Sequence, residues 1–104
     1  MSPPFHPPYY AVIFISKLTQ QTEGYQQTAE RMVELAQTMP GFLGLESARE
    51  ESGITVSFWQ DEASILNWKQ QAEHKLAQQS GIKQWYASYE MHIARVERYK
   101  KFTA

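Results

Sequence analysis

From Pro40 to His74 the chain reads PGFLGLESAREESGITVSFWQDEASILNWKQQAEH, and this stretch restricts the fold more than any other. Pro40-Gly41 stops whatever helix precedes it, because proline cannot continue a helix and glycine frees the turn. Phe42 to Glu50 and Ile54 to Trp59 have strand composition. Glu51-Ser52-Gly53 between them predicts a short hairpin loop, with Gly53 at a positive φ. In the second of these strands Ile54, Val56 and Phe58 point one way, and Thr55, Ser57 and Trp59 the other. Asp61 is placed to cap a helix, with Glu62 beside the positive end of the helix dipole. Ile65, Trp68, Ala72 and Leu76 then recur at helical spacing. Strand, strand and helix thus follow one another without a break.

The flanking segments complete the order. Tyr9-Tyr10-Ala11-Val12-Ile13-Phe14-Ile15 is a strand in which both alternating sets are apolar: Tyr9, Ala11, Ile13 and Ile15 on one face, Tyr10, Val12 and Phe14 on the other. A sheet covered on one face only shows polar residues on one set. This strand is therefore expected to be buried on both sides, the second cover coming from another copy of the chain. Between Thr22 and Met39 the period becomes helical, with Tyr25, Ala29, Met32, Leu35, Ala36 and Met39 on one side and Gln26, Gln27, Glu30, Glu34 and Gln37 on the other. Gly81 marks a break, and Trp85 to Tyr99 reads as a last strand or strand pair. There Tyr89, Met91 and Ile93 share one face, with Glu90, His92 and Ala94 on the other.

The order β-α-β-β-α-β predicts an α+β, ferredoxin-like domain, an antiparallel four-stranded sheet with both helices on one face. Residues 1–8 carry Pro3, Pro4, Pro7 and Pro8 and read as a stiff extended arm, either a tail or a strap anchored by Phe5 on a partner subunit. Residues 9–104 form the single domain.

Composition excludes several classes of function. A formal net charge of −1 and no Lys/Arg cluster argue against nucleic acid; Arg95, Arg98, Lys100 and Lys101, interleaved with Glu97, suit a solvated strand end. The chain has no cysteine, which removes disulfides, thiolate nucleophiles and Cys-based zinc sites, and fits a cytoplasmic protein. The N-terminal segment lacks a basic n-region and a long apolar run, so it does not read as a signal peptide, and no run of apolar residues suffices to span a membrane. The three histidines, His6, His74 and His92, have no metal-ligand spacing. A Gly-rich phosphate loop, a GxSxG elbow and a paired-carboxylate pattern are all missing.

The Pro40-Gly41-Phe42 turn, the Ser57-Phe58-Trp59 strand end, the Asp61-Glu62-Ala63 helix start and Trp68 resemble, in order and spacing, the antibiotic biosynthesis monooxygenase family. The resemblance covers nearly the whole chain. It is closest to a small bacterial branch of unassigned function with a Tyr-Tyr-Ala-Val-Ile-Phe first strand and a Thr-Ala-Glu-Arg-Met helix. It implies a dimeric α+β barrel, two subunits joined sheet to sheet, with a small cavity between each sheet and its helices. Some members oxygenate polycyclic phenols without metal or flavin, and others bind and degrade haem. The resemblance therefore implies a monooxygenase acting on a small aromatic compound without a cofactor. A dimeric binding protein for a flat hydrophobic metabolite is the alternative. The haem reading is weakened because the positions where haem-degrading relatives carry an asparagine and the iron-ligating histidine read Ser16 and Gln78.

Trp68 stands where the family places a cavity tryptophan, although its stripe also suits an ordinary core. An indole there stacks on a flat ligand and offers one N–H donor. His74 is the candidate base, since a histidine can accept a phenol proton at neutral pH. Six residues put it about 120° from Trp68 on an unbroken helix, so the two converge only if the helix bends or ends near Gln70. His92 faces either the cavity or the interface. Trp59, Tyr86, Phe14 and Ser16 complete the candidate substrate-binding set, with Tyr89 adding aromatic surface. Ser64, four before Trp68, departs from the asparagine of phenol-oxygenating relatives.

Overall fold

The computed structural model describes residues 5–77 and 82–104, so Pro3, Pro4, Gln78 and Gly81 lie outside the described residues. The elements run β1 (Tyr9–Leu18), α1 (Tyr25–Thr38), β2 (Phe42–Arg49), β3 (Gly53–Trp59), α2 (Glu62–Ala77), the single turn α3 (Ile82–Trp85) and β4 (Tyr86–Val96). The strands form one antiparallel sheet in the order β2-β3-β1-β4. This is the expected α+β ferredoxin-like arrangement. The boundary at Trp85 differs, and β4 ends at Val96, before the expected Tyr99. Trp85 closes the short α3 instead of opening the last strand, because its indole donates to the Glu23 carbonyl at 2.8 Å and its ring is held at 5.6 Å from that of Tyr25.

Both helices lie on the face that carries Tyr10, Val12, Phe14 and Ser16. The core is built there from Val12, Ala36, Trp59 and Ile65, with Tyr10, Met39, Phe42 and Trp68 packed around them. Trp59 is wholly excluded from solvent, and its indole N–H donates to Ser57 Oγ at 2.9 Å. Truncating a fully buried aromatic of this size costs on the order of 3–5 kcal/mol. α1 ends as its sequence requires: Gly41 takes φ 83°, and its carbonyl accepts the Gln60 N–H at 2.7 Å, tying the turn to the end of β3. α2 starts at Asp61, whose Oδ1 accepts from the Ser64 amide at 2.8 Å and the Ser64 hydroxyl at 2.7 Å. The Ser64 hydroxyl, then its amide, hold the Asp61 carboxyl below its ordinary pKa.

The opposite face is covered in part by the chain's own two ends. Phe5 stacks at 5.3 Å on Tyr9, 5.4 Å on Phe58 and 5.1 Å on Tyr99, and Tyr9 and Ala11 are buried as a result. Burial, and then the neighbouring Tyr99, raise the Tyr9 phenol above its usual pKa. The expected double burial of β1 is thus met at its start by Phe5 and Tyr99 within one chain. Farther along the same face Ile13, Ile15 and Val56 are only half-buried and Ile54 is exposed.

Gly53 corrects a second expectation. Its φ is not positive; it opens β3, and the Arg49 guanidinium lies where a β-carbon would stand. In the sheet register Arg49, Gly53, Ser16 and Tyr89 form one row across all four strands. Arg49 reaches over Gly53 to Ser16, donating from Nη2 to Oγ at 2.6 Å and from Nη1 to the carbonyl at 3.3 Å. A bulge between Phe42 and Gly44 makes this possible, because it shifts the alternation of β2 and brings Arg49 onto the helix face.

Gly53→Ala is expected to displace this guanidinium and strand the buried Ser16 oxygens, costing about 1–3 kcal/mol in thermal or urea unfolding. In an Arg49→Ala background the same change should be near neutral; equal costs in both backgrounds would show that the glycine serves something else. Asp61→Ala should lower the Tm at neutral pH. Because the folded carboxyl is depressed, its contribution is present above the ordinary value of 3.8 and fades as pH falls through the lower folded value. The gap between wild type and variant should therefore narrow in acid, and a gap independent of pH would refute the charged cap.

Candidate functional site

The helix face of the sheet has two aromatic ends. Gly53 and Trp59 are separated by the length of β3, about 20 Å at strand rise. At the Trp59 end, Trp68 projects from α2 and stacks on Trp59 with centroids 5.3 Å apart, while Phe42 meets Trp59 edge-on. The α2 stripe predicted from Ile65, Trp68 and Ala72 is the stripe that packs here. The Trp68 Nε1–H is buried and has no acceptor among the described residues. A buried donor without an acceptor costs free energy. Ser64, whose hydroxyl donates to Asp61, does not accept from it either.

The other end gathers Phe14, Ser16 and Tyr86, three of the candidate residues marked from the sequence, and Tyr89, noted there as aromatic surface, around two that were not marked: Tyr25 and Arg49. Tyr86 lies 5.8 Å from Phe14, 5.9 Å from Tyr25 and 5.7 Å from Tyr89, and Phe14 lies 5.5 Å from Tyr89. Arg49 Nη2 donates to Tyr25 Oη at 3.3 Å, with its Cζ 5.6 Å from the ring centre. Burial, followed by Tyr25, pushes the Tyr86 phenol well above the usual tyrosine range, so it stays neutral throughout the physiological range. Ser16 is buried, and its oxygens accept from Arg49.

The two histidines lie apart from both ends. α2 continues unbroken to Ala77, so the bend that would bring His74 toward Trp68 is absent, and His74 sits on an exposed part of the helix. His92 pairs with Ile13, putting it on the face away from the helices, where its Nε2 and Glu90 Oε2 share a hydrogen bond at 3.0 Å. A hollow of about 210 Å³, lined by Ile15, Ser16, Lys17, Ser88, Tyr89 and Glu90, lies along the β1–β4 pair. Among the described residues no group of three or more metal-ligating side chains converges, and no helix is long and apolar enough to cross a membrane.

Comparison with known proteins agrees with this geometry. The family model for antibiotic biosynthesis monooxygenases matches residues 8–80. "Uncharacterized protein YqjZ" of Bacillus subtilis (strain 168) is 49% identical over 98 residues, which cover 92% of this chain and 86% of that protein. Among solved structures, a protein of unknown function from Nitrosomonas europaea, NE2512, superposes with a TM-score of 0.74 at 12% identity, over 96% of this chain and all of that one. SnoaB, a cofactor-independent oxygenase from Streptomyces nogalater, superposes in its N63A variant with a TM-score of 0.72 at 12% identity, over 88% of this chain and 96% of that chain. At that identity these likenesses show the fold alone. With the family model spanning most of its length, the chain belongs to the antibiotic biosynthesis monooxygenase family.

Proposed function

We propose that this chain is a dimeric, cofactor-independent monooxygenase that oxidises a small phenolic aromatic with O2. The observation that carries the reading is the Trp68 indole N–H, a buried donor with no acceptor among the described residues, on an aromatic wall backed by Trp59. Family membership and the SnoaB likeness support the reaction class. In a site lined by Trp and Phe, an unspent donor stabilises charge that develops on oxygen more strongly than it does in water.

In this reading a flat hydroquinone or anthrone lies against Trp68. His74 accepts the proton, through water, from the solvent side of α2. The electron-rich anion passes one electron to O2, and the radical and superoxide combine into a hydroperoxide anion. Return of the proton and loss of water leave the quinone carbonyl. The protein supplies orientation and a dry pocket. Phe14, Ser16 and Tyr86 line the far reach of the same helix–sheet space, and His92, on the uncovered sheet face with Ile13, Ile15 and Val56, meets the second subunit.

A second reading has its own observation. Because α2 is unbroken, His74 stands about 120° around the helix from Trp68, which favours a protein that binds a flat hydrophobic metabolite without turning it over. Haem binding has less support, since the Ser16 oxygens are already engaged by Arg49.

Oxygen uptake by purified protein against hydroquinones, anthrones and polycyclic phenols separates the readings. Monooxygenation predicts protein-dependent uptake that falls at least tenfold in Trp68→Ala and in His74→Ala. A normal rate in His74→Ala removes the histidine from the mechanism; ligand-dependent tryptophan quenching without uptake favours the binding protein. Light scattering should return a dimer, and a strict monomer would remove the sheet-to-sheet assembly from the proposal.

A further inference from the structure

The Arg49 corner is an unusual place for a cation. Arginine offers five N–H donors. The three recorded bonds, from Nη1 to the Ser16 carbonyl and from Nη2 to Ser16 Oγ and Tyr25 Oη, all end on neutral oxygens. Among the described residues no carboxylate pairs with it; the recorded ion pairs, His92 with Glu90 and Arg95 with Glu97, lie elsewhere. Among the described residues two donors, one on Nη1 and that on Nε, have no protein acceptor, and Arg49 is exposed, so its charge faces solvent and is open to a ligand.

Holding this side chain still is costly. Fixing an arginine forfeits up to about 2 kcal/mol of rotamer freedom, and the fold leaves the β-carbon out of position 53 to give it room. The result is a guanidinium that reaches from β2 over β3 to Ser16 of β1 and is backed by the Tyr25 ring. Beside it stand Phe14, Tyr86 and Tyr89. Tyr86 presents a neutral phenol, and Tyr89 leaves 65% of its surface in solvent although it belongs to the helix face. A preorganised guanidinium favours carboxylate and phenolate oxygens over neutral ones. The aromatic rings next to it favour a flat partner.

We infer that Arg49, with Tyr25, Phe14, Tyr86 and Tyr89, forms a binding site for a flat aromatic anion, whose carboxylate or phenolate oxygen takes the unspent guanidinium donors while its ring stacks on the tyrosines. The site lies at the far end of β3 from the Trp59–Trp68 pair, and its existence does not depend on oxygenation. If the proposed oxygenase is correct, it determines which substrates are held: those that enter with an ionised group.

Isothermal titration with 2-naphthoate and its neutral analogue 2-naphthamide tests this directly. Wild-type protein should bind naphthoate at least tenfold more tightly than naphthamide. Arg49→Gln should weaken naphthoate at least tenfold and leave naphthamide unchanged, and Arg49→Lys should restore part of the preference. The comparison of the two ligands on wild-type protein needs no variant, so a misfolded mutant does not spoil it. Equal affinities for the two ligands, absence of saturable naphthoate binding, or unchanged naphthoate affinity in a folded Arg49→Gln overturns the inference. Naphthoate binding without oxygen uptake on the phenol panel would leave this site standing and favour the binding protein over the oxygenase.

Discussion

The burial of Trp59 is the constraint on which the rest of the structure depends. It ends β3, pairs with Tyr10 on β1 and Phe42 on β2, and takes Trp68 of α2 against its ring. Its only polar atom is satisfied two residues away by Ser57, so the indole can be dry without penalty. Sheet and second helix are therefore joined by one apolar contact that makes no demand on the rest of the chain. The turn at Gly41 and the cap at Asp61 bracket this contact from either side, and both are hydrogen-bonded within a few residues of it.

That arrangement explains why the indole of Trp68 differs from that of Trp59. Both rings sit in the same cluster, yet only one N–H has an acceptor. A core selected for stability alone would place Phe or Leu at position 68, which fills space without carrying a buried donor. An unspent donor beside a packed aromatic floor is the type of local cost that active sites carry. The exposed position of His74 on the same helix pulls the other way, since a base that must work through water is a poor one. These two facts, six residues and about 120° of helix apart, are what oxygen uptake has to weigh.

Much of the fold was legible in local pattern. The alternation in Ile54 to Trp59, the helical stripe through Ile65, Trp68 and Ala72, and the Asp61 cap each depend on neighbours within one or two turns, and such signals survive in a single sequence. What was not legible depended on distance or on register. Period-two counting from Phe42 puts Arg49 on the outer face, and only the bulge before Gly44 moves it to the helix face, where it stays exposed. Gly53 looked like a turn glycine because it follows Glu51-Ser52, whereas its reason is a side chain lying over it. Phe5 and Tyr99, at opposite ends of the chain, meet across the sheet, so the apolar outer set of β1 was assigned wholly to a second subunit. The one available signal for the Arg49 corner was a glycine opening a strand across the hairpin from an arginine.

Apart from the two histidines, the candidate residues marked from the sequence divide between two ends of one face, and the division has a physical consequence. Trp68 offers a neutral donor in a dry, packed setting; Arg49 offers a full charge beside half-open tyrosine rings. A neutral donor discriminates weakly between a phenol and its anion, whereas a fixed guanidinium discriminates strongly. Ionisation of a phenolic ligand is the step that makes it able to reduce O2. A chain that fixes a cation across three strands, and omits a β-carbon to do so, is built to recognise the ionised form in particular. In the proposed reading, charge selection at the hairpin end and chemistry at the tryptophan end are separable properties of the same helix–sheet space, and either can be lost by mutation without the other.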